Sequence, residues 1–409
     1  LRVLQPLFLF PCVLLCVLIA DRQTLVRVDY ALLDASGALT GDTAAYRDSR
    51  TAGIPDTLDD DALYAVTGIQ RQPFNTLYQL LADKRDRPES LEKAERLLFM
   101  PEYLAYVLSG RMENEYTIAS TSGLLDAQKR DWAWALIDSL GLPRRLFGPL
   151  RQPGFSLGRV RPEIAREIGF APEVILPPAH DTAAAVLGAP LEAGDAFLSS
   201  GTWSLLGAEI DAPVLTRDAR LKGLTNEGGV AGTYRFLKNI MGLWIIQNIR
   251  RELPGKPSFG DMAAWAEASE AFPGRIDVDA PEFLAPENMT AEIRTALREA
   301  GNPEPASLPE LLACVNRSLA QCYADGIREL GALTGKHYTS LNIVGGGCNN
   351  RVLNQWTADA TGLPVFAGPG EGTALGNAVA QLIALGELKD LAHARQRIRA
   401  DFELKTFMP

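Results

Sequence analysis

Apolar and polar positions follow two different periods along the chain, and these periods predict strands and helices. Val26, Val28, Tyr30 and Leu32 alternate with other residues before the turn at 34–37, which is the pattern of a strand that ends in a turn. Between residues 59 and 111 the spacing becomes helical, so we predict helices that cover a sheet. The apolar positions concerned are Leu77, Leu80, Leu81, Leu97, Leu98, Pro101, Tyr103 and Leu104.

Short apolar runs next to polar corners characterise the middle of the chain. After an irregular, Pro-rich stretch at 142–162, the run at 174–176 predicts a short buried strand. It ends in the polar corner 177–182. Residues 196–207 predict a hairpin of two apolar strands, with the glycine of the bend 199–202 at its tip.

The last third repeats the order strand, glycine turn and helix. Ser307 and Glu310 form a capping box for a helix that Gly335 closes. Strands predicted at 341–344 and 365–367 each lead through a glycine-rich turn into a helix. This succession is typical of an α/β fold with parallel strands, whose ligand loops lie at the carboxyl ends of the strands.

The patterns divide the chain into four parts. Residues 1–27 are hydrophobic and atypical in sequence, and the boundary between two domains is placed near residue 194, just before the hairpin. We therefore predict a first domain over 28–193, a second over 194–390 and a tail over 391–409.

Composition adds that the chain is globular and that its partners are small molecules. The 409 residues suffice for two domains, and 47% are hydrophobic while 22% are charged. The net charge of -10 argues against nucleic acid, because phosphate binding needs Lys and Arg patches. Five cysteines, odd in number and without metal spacing, predict neither a disulfide framework nor a zinc site and favour a reducing cytoplasm. The sequence leaves the oligomeric state open.

Residues 1–20 form an exception to this composition, with one Arg and no acidic residue. They resemble a signal-peptide core or a short membrane anchor. The apolar run at 7–20 contains a proline and is shorter than the roughly 20 residues that span a bilayer, so a membrane-spanning helix is not predicted. A displaced terminus and a genuine hydrophobic segment stay open as alternatives.

Glycine-rich turns at 343–347 and 367–372 are candidates for binding a phosphate or a nucleotide. Glycines let backbone N–H groups approach such a ligand, although they also occur in tight turns without one. A Walker loop is excluded, since the string at 331–337 is one residue short, has no Ser or Thr after its Lys and follows a helix. A dinucleotide fold that starts near Gly368 would leave too little chain to complete it.

Asp181 is the candidate catalytic residue, because it follows the end of a predicted strand. Its carboxylate can cap the helix that follows, or it can act as a general base, and the two roles are compatible. Among the histidines, His337 and His393 lie in polar surroundings and are predicted at the surface. His180 alone adjoins the candidate base.

The string His180–Thr182, followed by Ser199–Ser204, resembles the FGGY carbohydrate kinases. This resemblance extends over about residues 28–385. Further matching strings occur in the order of the family: Val28–Asp34, Ala45–Arg50, Pro73–Gln79, Thr225–Gly229, Leu237–Trp244 and Ile343–Gly347.

The resemblance implies two actin-like, ribonuclease-H-like domains that close over a sugar and ATP with Mg²⁺. It assigns Asp181 as the general base that takes the proton of the attacking sugar hydroxyl. The other implied roles are sugar contacts by His180, Thr182 and Asn239, a phosphate contact by Thr202, and contacts to the rest of ATP by Gln247 and Gly346. No protein residue is assigned as a metal ligand.

The expected reaction is transfer of the γ-phosphate of ATP to the primary hydroxyl of a ketose. L-rhamnulose, giving L-rhamnulose 1-phosphate in L-rhamnose catabolism, is the first candidate substrate. Another deoxyketose such as L-fuculose is the alternative, and a catalytically inactive kinase fragment is a third hypothesis.

Two departures from the family pattern support that third hypothesis. Arg27 stands where the family has a glycine that contacts the sugar. The Asp-Gly-Ser hairpin of the family, which binds nucleotide phosphates, has no counterpart in residues 1–27. The first domain is therefore expected to be incomplete at its N-terminus, and the chain alone nearly or wholly inactive.

Overall fold

The computed structural model describes residues 28–46 and 48–409. The predictions for the hydrophobic segment 1–27, for its Arg27 and for the first residues of the opening strand lie outside the described residues. Among the helices that are described, none combines the length and the apolar character needed to cross a membrane.

The elements of the described residues follow in two sets. The α-helices are, in chain order, α1 (Asp60–Thr67), α2 (Thr76–Asp86), α3 (Pro88–Lys93), α4 (Met100–Ser109), α5 (Tyr116–Ala119), α6 (Trp134–Ser139), α7 (Pro162–Ile168), α8 (Asp181–Leu187), α9 (Arg217–Leu221), α10 (Trp244–Glu252), α11 (Phe259–Ala268), α12 (Met289–Glu299), α13 (Leu308–Thr334), α14 (Arg351–Thr361), α15 (Gly372–Ala384) and α16 (Leu391–Asp401). The strands are β1 (Tyr30–Leu33), β2 (Arg96–Phe99), β3 (Asn114–Glu115), β4 (Leu125–Asp126), β5 (Asp131–Trp132), β6 (Leu150–Arg151), β7 (Ser156–Arg159), β8 (Glu173–Ile175), β9 (Asp195–Ser200), β10 (Ser204–Ile210), β11 (Leu224–Gly228), β12 (Tyr234–Ile240), β13 (Ser340–Val344), β14 (Val365–Ala367) and β15 (Lys405–Phe407).

The chain folds into two compact units that interleave along the sequence. The first unit comprises the described residues up to Leu187, joined by Glu209–Phe236 and Thr373–Ala394. The second comprises Gly188–Ala208, Leu237–Gly372 and Arg395–Pro409. The linear boundary near residue 194 stays a prediction, since a division by spatial contacts need not follow the order of the chain.

The first unit is built on a two-stranded antiparallel sheet, β1 with β2, in which Ala31 faces Leu98. The prediction that Leu97 and Leu98 belong to a helix is wrong. Their apolar run is only four residues long, and it is buried on both faces of β2 instead of forming the stripe of a helix. Helices α2 and α5 pack their buried side chains against the same core, which includes Leu77, Leu80, Leu97, Phe99, Tyr116 and Ile118.

The stretch at 142–162, predicted as irregular, contains strand β7, which pairs antiparallel with β8. The prediction of a strand at 174–176 is confirmed within one residue by β8. Because β8 is short and buried, it brings the polar corner that follows it to the edge of the first unit's core.

A seven-stranded sheet has the order β11-β12-β10-β9-β13-β14-β15. Strand β13 runs parallel to both β9 and β14, with Ser199 beside Val344. The predicted hairpin is confirmed as β9 and β10, paired antiparallel with Ser204 opposite Ser200. The α/β fold with parallel strands is therefore confirmed, and the carboxyl ends of β9 and β13 meet at one edge of the sheet.

Helix α13 begins and ends where the sequence predicts. The side chain of Ser307 accepts a hydrogen bond from the N–H of Glu310, and Gly335 closes the helix with a φ of +68°. A left-handed residue at this position favours glycine, which explains the stop. The segment predicted as a tail, 391–409, forms α16 and the edge strand β15, which pairs antiparallel with β14.

Candidate active site

A buried carboxylate in the first unit holds the corner that precedes α8. Glu115 accepts hydrogen bonds from the N–H groups of Thr117 (2.8 Å), Ile118 (3.1 Å) and Ala179 (3.0 Å), and from the hydroxyl of Thr117 (2.6 Å). The Thr117 Oγ1 in turn accepts the N–H of His180 at 3.3 Å. Burial raises the pKa of Glu115, although these hydrogen bonds oppose the rise. These hydrogen bonds to Glu115 and Thr117 hold the backbone at Ala179 and His180 in place.

A second buried carboxylate supports the first. Glu102 accepts hydrogen bonds from the N–H groups of Glu115 (2.5 Å) and Phe99 (2.8 Å) and from the side-chain amide of Asn114 (2.8 Å). Burial raises the pKa of Glu102 well above its usual range. Because each of these polar groups is buried and partnered, the base of the corner is rigid.

Asp181 is the first residue of α8, whose first helical hydrogen bond runs from the N–H of Ala184 to the carbonyl of His180 (3.0 Å). The Asp181 Oδ1 accepts the N–H of Thr182 at 2.8 Å, and the Thr182 hydroxyl lies 3.4 Å from the same oxygen. The Asp181 side chain is 47% exposed, whereas Thr182 is buried. The carboxylate is thus both anchored to the start of the helix and accessible, as a general base must be.

Behind His180 lies a buried pair of opposite charges, Glu227 on β11 and Arg235 on β12. Arg235 is completely buried, and its NH1 lies 2.9 Å from Glu227 Oε2 and 3.0 Å from His180 Nδ1. The Nε2 on the other side of the ring lies 3.5 Å from Asp181 Oδ1. Burial opposes ionisation of Glu227, but the neighbouring His180 ring and the guanidinium of Arg235 lower the pKa of Glu227 below its usual range. Burial also lowers the pKa of Arg235.

In the second unit, the bend of the β9–β10 hairpin is tied to the start of α10. The N–H groups of Leu243 and Trp244 donate to the carbonyls of Gly201 (3.2 Å) and Thr202 (3.0 Å). The hydroxyl of Thr202 donates to Gln247 Oε1 at 3.3 Å. Thr202 at the exposed tip of the hairpin therefore contacts Gln247 on α10, and both are residues predicted to contact ATP.

The glycine loop after β13 packs closely on the end of β9. A Cβ at Gly345, whose φ is +85°, would lie 2.7 Å from the carbonyl oxygen of Ser200. A Cβ at Gly347 would lie 2.5 Å from the Cβ of Ser200. At Gly346, in contrast, a Cβ would meet no described atom within 4 Å. The backbone of Gly346 is therefore open on the side where a ligand could approach.

The structure brings the predicted site residues together in two groups. His180, Asp181 and Thr182 adjoin one another in the first unit. Thr202 and Gln247 are in contact in the second unit. Asn239 lies on β12, also in the second unit, and contributes a partly exposed side chain. The functional roles of all these residues stay predictions.

Sequence reasoning missed three residues that shape this site: Glu115, Glu227 and Arg235. One weak signal was available for Arg235, because it is a charged residue inside the apolar strand Tyr234–Ile240. Glu227 belongs to a string that matched the family, yet nothing in the string marks it as buried. The surface prediction for His337 agrees with its exposed side chain.

Within residues 28–46 and 48–409, no group of three or more His, Cys, Asp or Glu side chains could hold a metal ion.

Cys314, Cys322 and Cys348 are free thiols, and burial raises the pKa of Cys322 to about 12. A thiol with such a pKa stays protonated and is a poor nucleophile.

Comparison with known proteins gives the class of the chain. The FGGY family of carbohydrate kinases, N-terminal domain, matches residues 24–188, and the C-terminal domain of the same family matches 196–385. The fold and the matched domains define a carbohydrate kinase of the α/β class. The chain belongs to the FGGY family of carbohydrate kinases. Membership of a kinase family implies a sugar and ATP as substrates.

Two relatives in sequence are named rhamnulokinase. The rhamnulokinase of Halalkalibacterium halodurans is 41% identical over 385 residues, which is 93% of this chain and 82% of that protein. The rhamnulokinase of Pectobacterium atrosepticum is 44% identical over 387 residues, 93% of this chain and 77% of the relative.

Solved structures show the fold. A ligand-bound xylulose kinase from Lactobacillus acidophilus superimposes with a TM-score of 0.77 at 17% identity, covering 96% of this chain and 82% of that chain. The glycerol kinase of Plasmodium falciparum with ADP gives 0.71 at 14% identity, covering 92% and 77%. At these identities the likeness concerns the fold alone, and it confirms the expected two-domain, actin-like architecture.

Proposed function

We propose that the chain transfers the γ-phosphate of ATP to the primary hydroxyl of a ketose, with L-rhamnulose as the substrate and L-rhamnulose 1-phosphate as the product. The observation that carries this proposal is the 41–44% identity to proteins named rhamnulokinase over 93% of the chain. The accessible, anchored carboxylate of Asp181 supports it, because such a transfer needs one group to take the hydroxyl proton.

In the proposed mechanism Asp181 is the general base. As the sugar O–H bond breaks, its proton passes to the Asp181 carboxylate, the sugar oxygen bonds to the γ-phosphorus, and ADP leaves. Most of the remaining catalysis consists of positioning and of neutralising phosphate charge. His180, Thr182 and Asn239 are proposed as sugar contacts. Thr182, which is buried, also holds Asp181 by donating its backbone N–H to Oδ1 at 2.8 Å.

Thr202, Gln247 and Gly346 are proposed as contacts of ATP. The hydroxyl at the hairpin tip and the open backbone at Gly346 can both offer donors to an anion. Mg²⁺ would supply charge neutralisation when bound with the nucleotide, and it is held in such sites largely by phosphate oxygens and water, with few protein carboxylates. We also propose a cytoplasmic location, which the low and odd number of cysteines supports.

The reaction is tested by measuring ADP formation with L-rhamnulose and with L-fuculose. Two forms are assayed: the chain itself, and the chain preceded by the Asp-Gly-Ser hairpin segment that the family resemblance implies, called the hairpin-bearing form below. Comparing the two forms separates the contribution of this hairpin from that of the site described above. We expect kcat/KM to be at least about tenfold higher for L-rhamnulose, equivalent to one well-made contact of about 1.4 kcal/mol.

Preference for L-fuculose would overturn the choice of substrate. Absence of ketose-dependent ADP formation in both forms would overturn the proposed reaction and leave the third hypothesis, an inactive kinase fragment. The rhamnulokinase of Halalkalibacterium halodurans, assayed in parallel, is the positive control for the ketose substrate and for the detection of ADP.

Binding of nucleotide is tested without turnover. MgATP at 100 times its Kd should stabilise the chain by about 2.7 kcal/mol, because a ligand that binds only the folded state shifts the unfolding equilibrium. This corresponds to a rise in Tm of a few degrees in differential scanning fluorimetry. Mg²⁺ alone is the control and should give no comparable shift. An unchanged Tm at saturating MgATP would contradict the assignment of Thr202, Gln247 and Gly346.

A further inference from the structure

The ring of His180 is held between a cation and the candidate base. Arg235 NH1 lies 3.0 Å from Nδ1, on one side of the ring, and Asp181 Oδ1 lies 3.5 Å from Nε2, on the other. A guanidinium nitrogen carries only donors and stays protonated in proteins. In a hydrogen bond between Arg235 and Nδ1, the ring nitrogen must therefore be the acceptor, and the proton of the neutral ring must be on Nε2.

We propose that Arg235 is a positioning residue that fixes His180 in its neutral, Nε2-protonated tautomer, so that the ring donates toward Asp181 and its bound hydroxyl and does not act as a second base. This inference rests on the proposed function, because it assumes that Asp181 takes the proton. The inference adds that Nε2 of His180 carries the ring proton and that Arg235 determines this tautomer.

Glu227 lies close enough to offer a competing arrangement. Its Oε2 is 3.2 Å from His180 Nδ1, so a proton on Nδ1 could be donated to this carboxylate. However, no N–H of the ring or of Arg235 points at Oε2 in hydrogen-bond geometry, although both groups lie close enough to lower the pKa of Glu227. The contact of Glu227 with Arg235 is therefore one of charge, and the N–H of Arg235 is directed at the ring.

The role left to Glu227 is to keep Arg235 in place. A fully buried guanidinium without a counter-charge would be strongly destabilising. The carbonyl of Gly228 accepts the Nε–H of Arg235 at 3.0 Å and fixes its orientation further. Arg235 is thus anchored by one charge and one backbone group, and it presents NH1 to His180.

The chemical consequence concerns the division of labour in the site. A histidine protonated only on Nε2 gives a hydrogen bond on the side of Asp181 and has its other nitrogen occupied by Arg235. Such a ring can orient the carboxylate or the hydroxyl oxygen, while proton abstraction is left to Asp181. A ring with the other tautomer would present a lone pair to Asp181, and two acceptors would then face each other.

The test reads the tautomer directly. The chain contains three histidines, and long-range ¹H–¹⁵N correlation spectra of ¹⁵N-histidine-labelled protein report the protonation of each ring nitrogen. His180→Gln identifies the signals of His180. We expect a single Nε2-protonated tautomer in the parent chain.

Without the Arg235 donor, the His180 ring should no longer be restricted to one tautomer. Arg235→Met, made together with Glu227→Gln so that no unpaired charge is buried, should give a mixture of both tautomers, and Arg235→Lys should restore part of the Nε2-protonated signal. In the hairpin-bearing form the double variant should lower kcat about 10- to 100-fold, as when the outer partner of a functional histidine is lost. The ketose KM should change much less.

A parent spectrum with the proton on Nδ1, or with both nitrogens protonated at neutral pH, would overturn the inference. So would a double variant that folds, as judged by circular dichroism, and keeps the Nε2-protonated signal unchanged. The spectra need no turnover, so they decide the inference even if neither ketose is phosphorylated. If the double variant does not fold, the spectra of the parent and of Arg235→Lys still decide it.

Discussion

Asp181→Asn in the hairpin-bearing form should lower ketose-dependent ADP formation about 10²–10⁴-fold, which is the usual contribution of a general base. The amide keeps the size and planarity of the carboxylate. Its oxygen can still accept the N–H of Thr182, which lies 2.8 Å from Asp181 Oδ1 in the parent chain. It cannot take the proton of the sugar hydroxyl. Ketose binding, measured by isothermal titration calorimetry, should change little because the shape of the site is kept.

Asp59→Asn is the matched control for this substitution. Asp59 also lies at the start of a helix in the first unit, where its carboxylate accepts the N–H groups of Asp61 (2.9 Å) and Ala62 (3.1 Å). Asn caps helices about as well as Asp, so the control should affect neither stability nor rate measurably. A rate within about threefold of the parent in Asp181→Asn would remove Asp181 from the role of base.

The parts of the fold that the sequence predicts well depend on residues close together along the chain. The capping box of Ser307 with Glu310 and the stop at Gly335 are local, so α13 is predicted at both ends. The error at Leu97 and Leu98 has a long-range cause. Their strand exists because β1, more than sixty residues earlier, pairs with it, and a four-residue apolar run carries no period that would reveal this.

The site divides in the same way. Asp181 could be found from its place after a short strand, because strand ends and helix starts carry local signals. Glu115 and Arg235 could not, since their function arises from contacts with residues far away in sequence: Glu115 reaches Ala179, and Arg235 reaches His180. A charged residue in an apolar segment indicates only that a partner must exist, not which residue it is.

The two glycines after β13 should respond to the same substitution in opposite ways. Gly347→Ala places a methyl group 2.5 Å from the Cβ of Ser200, at the buried end of β9. Neither atom can rotate away, so the backbone must move, at a cost of about 1–3 kcal/mol typical of overpacking. We expect a Tm several degrees below that of the parent chain, measured by differential scanning fluorimetry without nucleotide.

Gly346→Ala is the matched partner, because its methyl group would meet no described atom within 4 Å. Its free energy of unfolding without nucleotide should equal that of the parent within about 0.5 kcal/mol, so its Tm should be nearly unchanged. If ATP approaches this backbone, however, the methyl group occupies part of the space of the nucleotide, and MgATP should bind about 5- to 150-fold more weakly, the equivalent of about 1–3 kcal/mol of overpacking. The Tm shift induced by MgATP would then shrink in Gly346→Ala while the Tm of the free chain stays unchanged. An undiminished shift would show that the nucleotide does not contact Gly346, and a lowered Tm of the free variant would show that the loop is packed differently from the arrangement described for Ser200.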